Sequence, residues 1–232
     1  MIQLRKSDDR GRTKLDWLDG RHTFSFGEYY DPAMMGFSKL RVINEDWIAP
    51  GGGFGTHPHR DMEIITWILE GALRHRDSMG NGPVIRAGDM QRMTAGTGIT
   101  HSEINDSATQ PVHMLQIWIL PSQTGLTPGY EQQTFPAERR RGADRLVVSP
   151  DGRDNSLMIH QNARIHIAQV EPGTPLTHEV PPGRRTWIQA ARGPVEINGL
   201  RLESGDGAGA IDERRLVISS PGESDVLLFD LP

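Results

Sequence analysis

Four side chains of metal-binding type stand in two pairs that have the same spacing. His57 and His59 are two residues apart, and so are His101 and Glu103. Each pair follows glycines and lies in a segment that reads as a strand, where side chains at i and i+2 share a face. Three imidazoles and one carboxylate are therefore predicted to converge on one divalent metal. This donor set suits iron, manganese, cobalt, nickel, copper or zinc, and a chain without cysteine offers no thiolate ligand.

Two residues, Glu63 and Glu103, are candidates for the carboxylate ligand. On an uninterrupted strand, Glu63 shares the face of His57 and His59 but lies four residues beyond His59, about 13 Å away at about 3.3 Å per residue. One ion cannot bind both ends of that interval without a bend or bulge in the strand. Glu103 is therefore preferred, and Glu63 remains the alternative ligand or a hydrogen-bond acceptor behind the ligands.

The elements that must position these pairs are strands. Short runs rich in Val, Ile, Thr, Trp and Phe alternate with Gly, Pro, Asn and Asp turn signals, and few stretches have a helical period. The segment from Val112 to Leu120 alternates as a strand does. One face would carry His113, Leu115, Ile117 and Ile119, and the other Met114, Gln116 and Trp118. The pattern predicts an all-β protein.

A change of composition divides the chain. From Ala137 to Arg145 the sequence is charged and aperiodic, so we predict two domains, residues 1–137 and 138–232. The second half repeats the pattern of strands and tight turns. Its predicted strands are Thr186 to Ala190, Val195 to Asn198, Leu216 to Ser219 and Val226 to Leu231. Because His160, His166 and His178 stand singly there, this domain is predicted to lack metal ligands, and one ion per chain is expected.

Composition excludes several classes of function. The chain of 232 residues has a net charge of -5, which gives no general attraction to nucleic acid or acidic membranes. Residues 1–13 are charged, and no segment is apolar for long enough to span a bilayer, so a cytoplasmic protein without nucleic-acid or membrane partners is expected. The run Arg139 to Arg141 is interpreted as a solvated linker.

Other residues near the pairs have structural interpretations. His113 and His22 are expected to be hydrogen-bonded core histidines, with a place beside the pocket as the alternative. Trp67 and Trp118 are expected in the core of the first domain, with stacking on a flat ligand as the alternative. Gly96 and Gly98 are not followed by an amphipathic helix, which argues against a dinucleotide site, so no organic cofactor is predicted.

Several motifs carry a family resemblance over the first 121 residues. Gly51, His57, His59, Glu63 and Gly71 resemble the first cupin motif, and Gly88, Gly96, Gly98, His101 and Asn105 resemble the second. The sequence is most similar to the pirin branch of that superfamily. The similar segments are Trp17-Leu18-Asp19, His22-Thr23-Phe24-Ser25-Phe26, Tyr29-Tyr30-Asp31-Pro32, Gly55 to Glu63 and Thr94 to Glu103.

The resemblance to pirins implies a bicupin, in which two antiparallel, jelly-roll-like β-barrels face each other and only the N-terminal one holds a metal. It implies His57, His59, His101 and Glu103 as ligands, in agreement with the distance argument. Bacterial pirins resemble quercetin 2,3-dioxygenases, which open the flavonol heterocycle with O2 and release carbon monoxide. A small aromatic substrate such as a flavonol, O2 and one divalent metal, with Fe(II) foremost, are therefore expected.

A mechanism follows as a hypothesis. A divalent ion would lower the pKa of the flavonol hydroxyl, and Glu103 would act as the catalytic base that takes its proton. Eukaryotic pirins are also nuclear co-regulators that depend on the redox state of the metal. The alternative is therefore a non-catalytic, metal-dependent regulatory protein with a protein partner.

Overall fold

The computed structural model describes residues 1–232 as an almost purely β-strand protein, which confirms the predicted class. Three short 3₁₀ helices, Ser7–Asp9, Ala137–Arg139 and Arg153–Asn155, interrupt the strands. The strands are β1 (Ile2–Arg5), β2 (Gly11–Lys14), β3 (Leu18–His22), β4 (Leu40–Ile48), β5 (Gly53–His59), β6 (Glu63–Glu70), β7 (Ala72–Asp77), β8 (Val84–Arg86), β9 (Asp89–Thr94), β10 (Ile99–Asn105), β11 (Val112–Ile119), β12 (Gly129–Thr134), β13 (Arg145–Ser149), β14 (Leu157–Met158), β15 (Arg164–Val170), β16 (Leu176–Glu179), β17 (Arg185–Arg192), β18 (Val195–Ile197), β19 (Leu200–Leu202), β20 (Gly207–Ile211), β21 (Arg215–Ser219) and β22 (Ser224–Leu231). None of the helices has the length and apolar character that crossing a membrane requires.

Four sheets form two jelly-roll-like units. The first unit pairs a seven-stranded sheet, in the order β12-β9-β6-β11-β4-β3-β2, with a four-stranded sheet, β5-β10-β7-β8. The second unit pairs the seven-stranded order β1-β20-β17-β22-β15-β13-β14 with the four-stranded order β16-β21-β18-β19. The bicupin prediction is confirmed, although each unit is two packed sheets rather than a closed barrel. All pairings between strands are antiparallel except that of β13 with β14.

The two large sheets face each other across the largest core cluster. Its 23 buried residues come from both halves of the chain and include Ile65, Leu115, Ile167 and Phe229. Strand β6 is therefore covered on both faces, which explains its nearly continuous apolar run, Ile64 to Leu69. The domain division at residue 137 stays a prediction, and β1 crosses over to pair with β20 of the second large sheet.

The arginine run between the halves is not a solvated linker, and that interpretation is wrong at Arg140. This side chain is buried, and its Nε donates to the Phe135 carbonyl oxygen at 2.9 Å while its Nη1 donates to Asp225 Oδ1 at 3.2 Å. Its guanidinium carbon lies 5.2 Å from the centroid of the Trp67 ring. Arg139 and Arg141 are exposed. The middle arginine therefore joins the two halves, because its guanidinium lies over an aromatic ring and donates to buried acceptors.

The alternation predicted for β11 explains how the core and the site share one strand. Leu115, Ile117 and Ile119 join the cluster between the two large sheets. Met114 packs in a smaller cluster inside the first unit, on the face that also carries Gln116 and Trp118. One strand thus delivers apolar residues to the interface and polar residues to the interior of the first unit.

Candidate metal centre

The pairing of β5 with β10 brings three histidines together. His57 lies opposite His101 in the antiparallel register, and His59 lies opposite Ile99. One ring nitrogen from each of the three histidines lies within 4.8 Å of the other two. The ring centroids of His57 and His101 are 4.5 Å apart, and that of His59 is 4.8 Å from each of them. The predicted convergence of the three imidazoles is therefore present.

Glu103 enters the site beside a β-bulge. The register between β5 and β10 shifts between His101 and Glu103, so that Glu103 pairs with Phe54 rather than with the residue next in line. Gly53 precedes Phe54 and pairs with Ile104, and it approaches the Glu103 backbone so closely that a Cβ there would lie 2.2 Å from the Glu103 carbonyl oxygen. The φ of Gly53 is 153°. Glycine at this position therefore permits the close contact of the two strands at the bulge.

Two residues of the large sheet hold the Glu103 carboxylate. Glu103 is 1% exposed, and Gln116 Nε2 donates to its Oε2 at 2.8 Å. Thr66 Oγ1 makes a longer contact of 3.5 Å with its Oε1. The carboxylate is thus anchored firmly at one oxygen and only weakly at the other.

The four predicted residues fall into two overlapping groups. His101 belongs to the group with His57 and His59 and also to a second group, in which donor atoms of His75, His101 and Glu103 lie within 4.8 Å of one another. Strand β7 supplies His75, which pairs with Glu103 across the sheet. Sequence reasoning missed His75. The signal was present, since His75 and Asp77 have the same i, i+2 spacing as the two pairs, and His75 Nε2 lies 3.1 Å from Asp77 Oδ2.

The unsatisfied nitrogen atoms of His101 indicate that the site fits a metal ion. Both ring nitrogens of His101 are buried without a hydrogen-bond partner, an arrangement that is costly unless another ligand satisfies them. His57 Nδ1 donates to the Gly55 carbonyl oxygen at 2.7 Å, which leaves its Nε2 free to coordinate. Imidazole and carboxylate donors match a divalent transition metal.

Electrostatics keep two of these imidazoles neutral. Burial lowers the pKa of His101 to about 3, with the neighbouring His57 and His75 as further causes. Burial also lowers the pKa of His59 to about 4, helped by His101 and His57. Protons therefore compete weakly with a metal for these nitrogens at neutral pH, since coordination needs the neutral ring.

Aromatic rings form one wall of the site. The Trp118 ring stands edge-on to His59 at a centroid distance of 5.1 Å and to Phe26 at 5.3 Å. Trp118 is half-buried, whereas Trp67 is fully buried in the core. The core expectation thus holds for Trp67, whereas Trp118 lies beside His59 at the edge of the site, and its stacking on a flat ligand stays a prediction. An open groove of about 540 Å³, lined by Pro58, His59, Arg60, Ser78, Thr97, Gly98, Ile99 and Thr100, gives access to His59 from solvent.

Glu63 lies on the other face of its sheet. Like Ile65, it lies on the face of β6 that is turned toward the second unit. Its Oε1 accepts a hydrogen bond from His160 Nδ1 at 2.9 Å, and its Oε2 accepts one from Thr94 Oγ1 at 2.9 Å. The chain bends between β5 and β6 at Asp61, whose φ is 48°. Thr66 lies on the opposite face of the same strand and points toward Glu103. Glu63 is therefore an internal hydrogen-bond acceptor that joins the two units.

His22 and His113 have the structural roles expected of them. His22 is buried, and it donates from Nδ1 to Asn44 Oδ1 and accepts at Nε2 from Thr13 Oγ1, both at 2.8 Å. His113 Nε2 donates to Glu45 Oε1 at 2.9 Å. Both rings are satisfied by protein partners away from the cluster of three histidines.

A second buried carboxyl group lies in the interior of the first unit. Asp46 on β4 is 2% exposed, and its Oδ1 has no hydrogen-bond partner. Burial, and next the charge of Glu103, raise its pKa to about 7. Sequence reasoning did not single out Asp46, because its burial depends on the packing of β4 between β3 and β11.

Comparisons with known proteins agree with this geometry. The family model described as Pirin matches residues 3–119, and the one described as Quercetinase C-terminal cupin domain matches residues 146–231. The chain is 50% identical to a quercetin 2,3-dioxygenase of Escherichia coli K12, over 100% of this chain and 99% of that protein. A crystal structure of the bacterial pirin YhhW from Escherichia coli in complex with nickel(II) superposes with a TM-score of 0.96 at 49% identity, covering 100% and 99% of the two chains. A quercetin 2,3-dioxygenase from Acinetobacter baumannii shares the fold, with a TM-score of 0.74 at 23% identity and coverage of 95% and 84%.

Proposed function

This chain belongs to the pirin family, and on that premise we propose that it is a metal-dependent quercetin 2,3-dioxygenase. Its reaction would open the heterocycle of a flavonol with O2 and release carbon monoxide. One observation carries the proposal. Three histidine donors converge within 4.8 Å of one another in a chain that is 50% identical, along its whole length, to a quercetin 2,3-dioxygenase.

The proposed ligands are His57, His59, His101 and Glu103, and the proposed ion is Fe(II), with Mn, Co, Ni, Cu and Zn as alternatives. The unpartnered nitrogens of buried His101 support this assignment. His75 is given a supporting position, because its Nε2 is already engaged by Asp77. A bound ion would supply Lewis acidity toward the flavonol hydroxyl and the O2 chemistry of a transition metal.

Glu103 is the proposed catalytic base. Its Oε2 is occupied by the hydrogen bond from Gln116, while its Oε1 has only the 3.5 Å contact with Thr66. Oε1 is therefore the oxygen that would accept the proton of the flavonol hydroxyl. The edge of Trp118 beside His59 would orient the flat ring system of the substrate and keep water from that side.

Elemental analysis and an oxygen assay on the same preparation test the proposal. Protein purified without added metal is analysed for its ion, and metal-loaded protein is then given quercetin. We expect quercetin absorption to shift under anaerobic conditions, and O2 consumption with carbon monoxide release after air is admitted. Metal-loaded protein that binds quercetin without consuming O2 would support the non-catalytic regulatory alternative. Consumption of O2 with a different aromatic compound, and none with quercetin, would show that the substrate is wrong.

The assignment of the base is tested with two matched carboxylate variants. Glu103→Gln is expected to lower kcat by about 10²–10⁴-fold, the usual contribution of a general base. Glu63→Gln changes an equally buried carboxylate that lies on the large sheet and faces the second unit, so it should leave kcat within about threefold. Metal content is measured for both variants. If Glu103→Gln retains its metal and turns over at the parent rate, Glu103 is not the base.

A further inference from the structure

Three metal-binding side chains also meet in the second unit, where no site was predicted. Asp144 directly precedes β13, His166 lies on β15 and His178 lies on β16. Asp144 Oδ2 is 2.7 Å from His178 Nδ1, and Asp144 Oδ1 is 3.1 Å from His166 Nδ1. Donor atoms of all three residues lie within 4.8 Å of one another. We call these three residues the second cluster.

The second cluster lies between the two sheets of its unit. His166 shares its strand face with Ala168 and Val170, which are members of the 14-residue core of this unit. His178 pairs across its sheet with Leu216, another member of that core. Since β15 belongs to the large sheet and β16 to the small sheet, the cluster joins both layers.

The spacing of the donors matches that of ligands around one ion, and three buried atoms of the cluster, Asp144 Oδ1, His166 Nδ1 and His178 Nε2, have no hydrogen-bond partner. At metal–ligand distances of about 2.0–2.1 Å, neighbouring donors around an ion are separated by about 3 Å. The two contacts of Asp144 are close to that value, and both histidines present the same nitrogen, Nδ1, to the carboxylate. The structural histidine His113 differs, because its acceptor Glu45 is also paired with the guanidinium of Arg10. Here two imidazoles share one carboxylate.

The charges around Asp144 also indicate a metal site. Its only ionic contacts are with the two histidines, and no Lys or Arg side chain pairs with it. The side chain of Asp144 is 23% exposed and that of His178 is 5% exposed, so this half-buried carboxylate has no Lys or Arg counter-ion. A divalent ion would supply that positive charge and leave coordination positions open to solvent on the Asp144 side.

We propose that Asp144, His166 and His178 form a second site for a divalent transition metal. Two imidazoles and one carboxylate are a donor set for Fe(II), Co(II), Ni(II) or Zn(II). An ion there would link the large and small sheets of the second unit through β13, β15 and β16. This inference is independent of the dioxygenase proposal, because none of its residues belongs to the donor groups of the first unit.

Cobalt binding in a background without the first site tests the proposal. His59→Ala with His101→Ala removes two ligands of the first site, and His101 is the histidine common to both donor groups of the first unit. Chelator-treated protein of this background is dialysed against Co(II), and the bound ion is counted by elemental analysis and followed by visible absorption. We expect one Co(II) per chain in the background and two in the parent protein. A background that binds no Co(II) would overturn the proposal.

Additional changes in the same background assign the ion to the second cluster. His178→Ala is expected to lower the affinity at least 100-fold, and so is Asp144→Asn, which keeps the size of the side chain and a hydrogen-bonding oxygen. His113→Ala, which removes a histidine that contacts Glu45 in the first unit, is the matched control and should bind like the background. Near-ultraviolet circular dichroism checks the fold of each protein. Equal Co(II) binding by the background and by folded Asp144→Asn would refute the assignment.

Discussion

Replacing Gln116 with leucine tests whether the large sheet controls the metal site. Gln116 is 7% exposed, and its Nε2 is the short donor to Glu103, at 2.8 Å from Oε2. Leucine has a similar volume and cannot donate. After the change, Glu103 would keep only its 3.5 Å contact with Thr66 and would rotate more freely. The free-energy cost of ordering the carboxylate would then reduce the affinity for the ion.

The expected magnitude follows from the energy of this hydrogen bond. A hydrogen bond to a charged group contributes about 1.5–3 kcal/mol. At about 1.4 kcal/mol per tenfold change in an equilibrium constant, its loss raises the metal Kd by about 10- to 150-fold. Loss of a partner that orients a metal ligand costs about 10–100-fold in metal affinity in other proteins, which is the same range.

The assay compares Gln116→Leu with a control that loses a similar bond elsewhere. Gln189 is fully buried in the second unit, and its Nε2 donates to the Gly205 carbonyl oxygen at 3.0 Å. Gln189→Leu should therefore lower the thermal stability and leave the Ni(II) affinity of the first site unchanged. Ni(II) affinity is measured for both variants by competition with a chelator of known affinity. If the two variants have the same Ni(II) Kd as the parent, the hydrogen bond to Glu103 does not contribute to metal binding, and the reasoning is refuted.

Two further changes test the polar interior and the junction between the units. The pKa of Asp46 is about 7 in the folded protein and 3.8 ordinarily, so the folded state binds this proton more tightly and loses stability as the pH rises from about 4 to 7. In urea unfolding, metal-free Asp46→Asn should therefore be more stable than the parent at pH 8, by on the order of 2–4 kcal/mol. At pH 4 the two proteins should be equally stable. Equal stability at pH 8 would contradict the raised pKa. His160→Ala removes the donor to Glu63, which is fully buried, and should lower the free energy of unfolding by about 1–3 kcal/mol with metal affinity unchanged. A weaker affinity for metal with normal stability would show that Glu63 belongs to the site after all.

Local periodicity was sufficient to predict much of the fold. The strands from Val112 to Leu120 and from Val226 to Leu231 agree closely with β11 and β22, because alternation and turn residues are local signals. The spacing of His57 with His59 predicted a shared face for the same reason. Local patterns did not show that β6 is covered on both faces, so that Glu63 and Thr66, which alternation places on opposite faces, are both buried.

The residues missed in the sequence belong to contacts between distant strands. His75 is 26 positions before His101 and 28 before Glu103, and it meets them only because β7 pairs with β10. Arg140 looked like part of a solvated charge run, yet the face-to-face packing of the two large sheets gives it a buried acceptor and an aromatic surface. The spacing of His75 and Asp77 indicates a shared strand face, but it does not show which distant strand that face meets.

By itself, the sequence determined the chemistry available to this protein, namely its imidazole and carboxylate donors, their positions on common strand faces, and an all-β architecture. Only the tertiary structure decided which of those donors meet. The bulge beside Glu103, the turn of Glu63 toward His160 and the meeting of Asp144 with His166 and His178 all depend on strand register and sheet packing. The physical reason is that the side-chain period of a strand fixes the face on which a residue lies, whereas hydrogen bonding between remote segments fixes its neighbours.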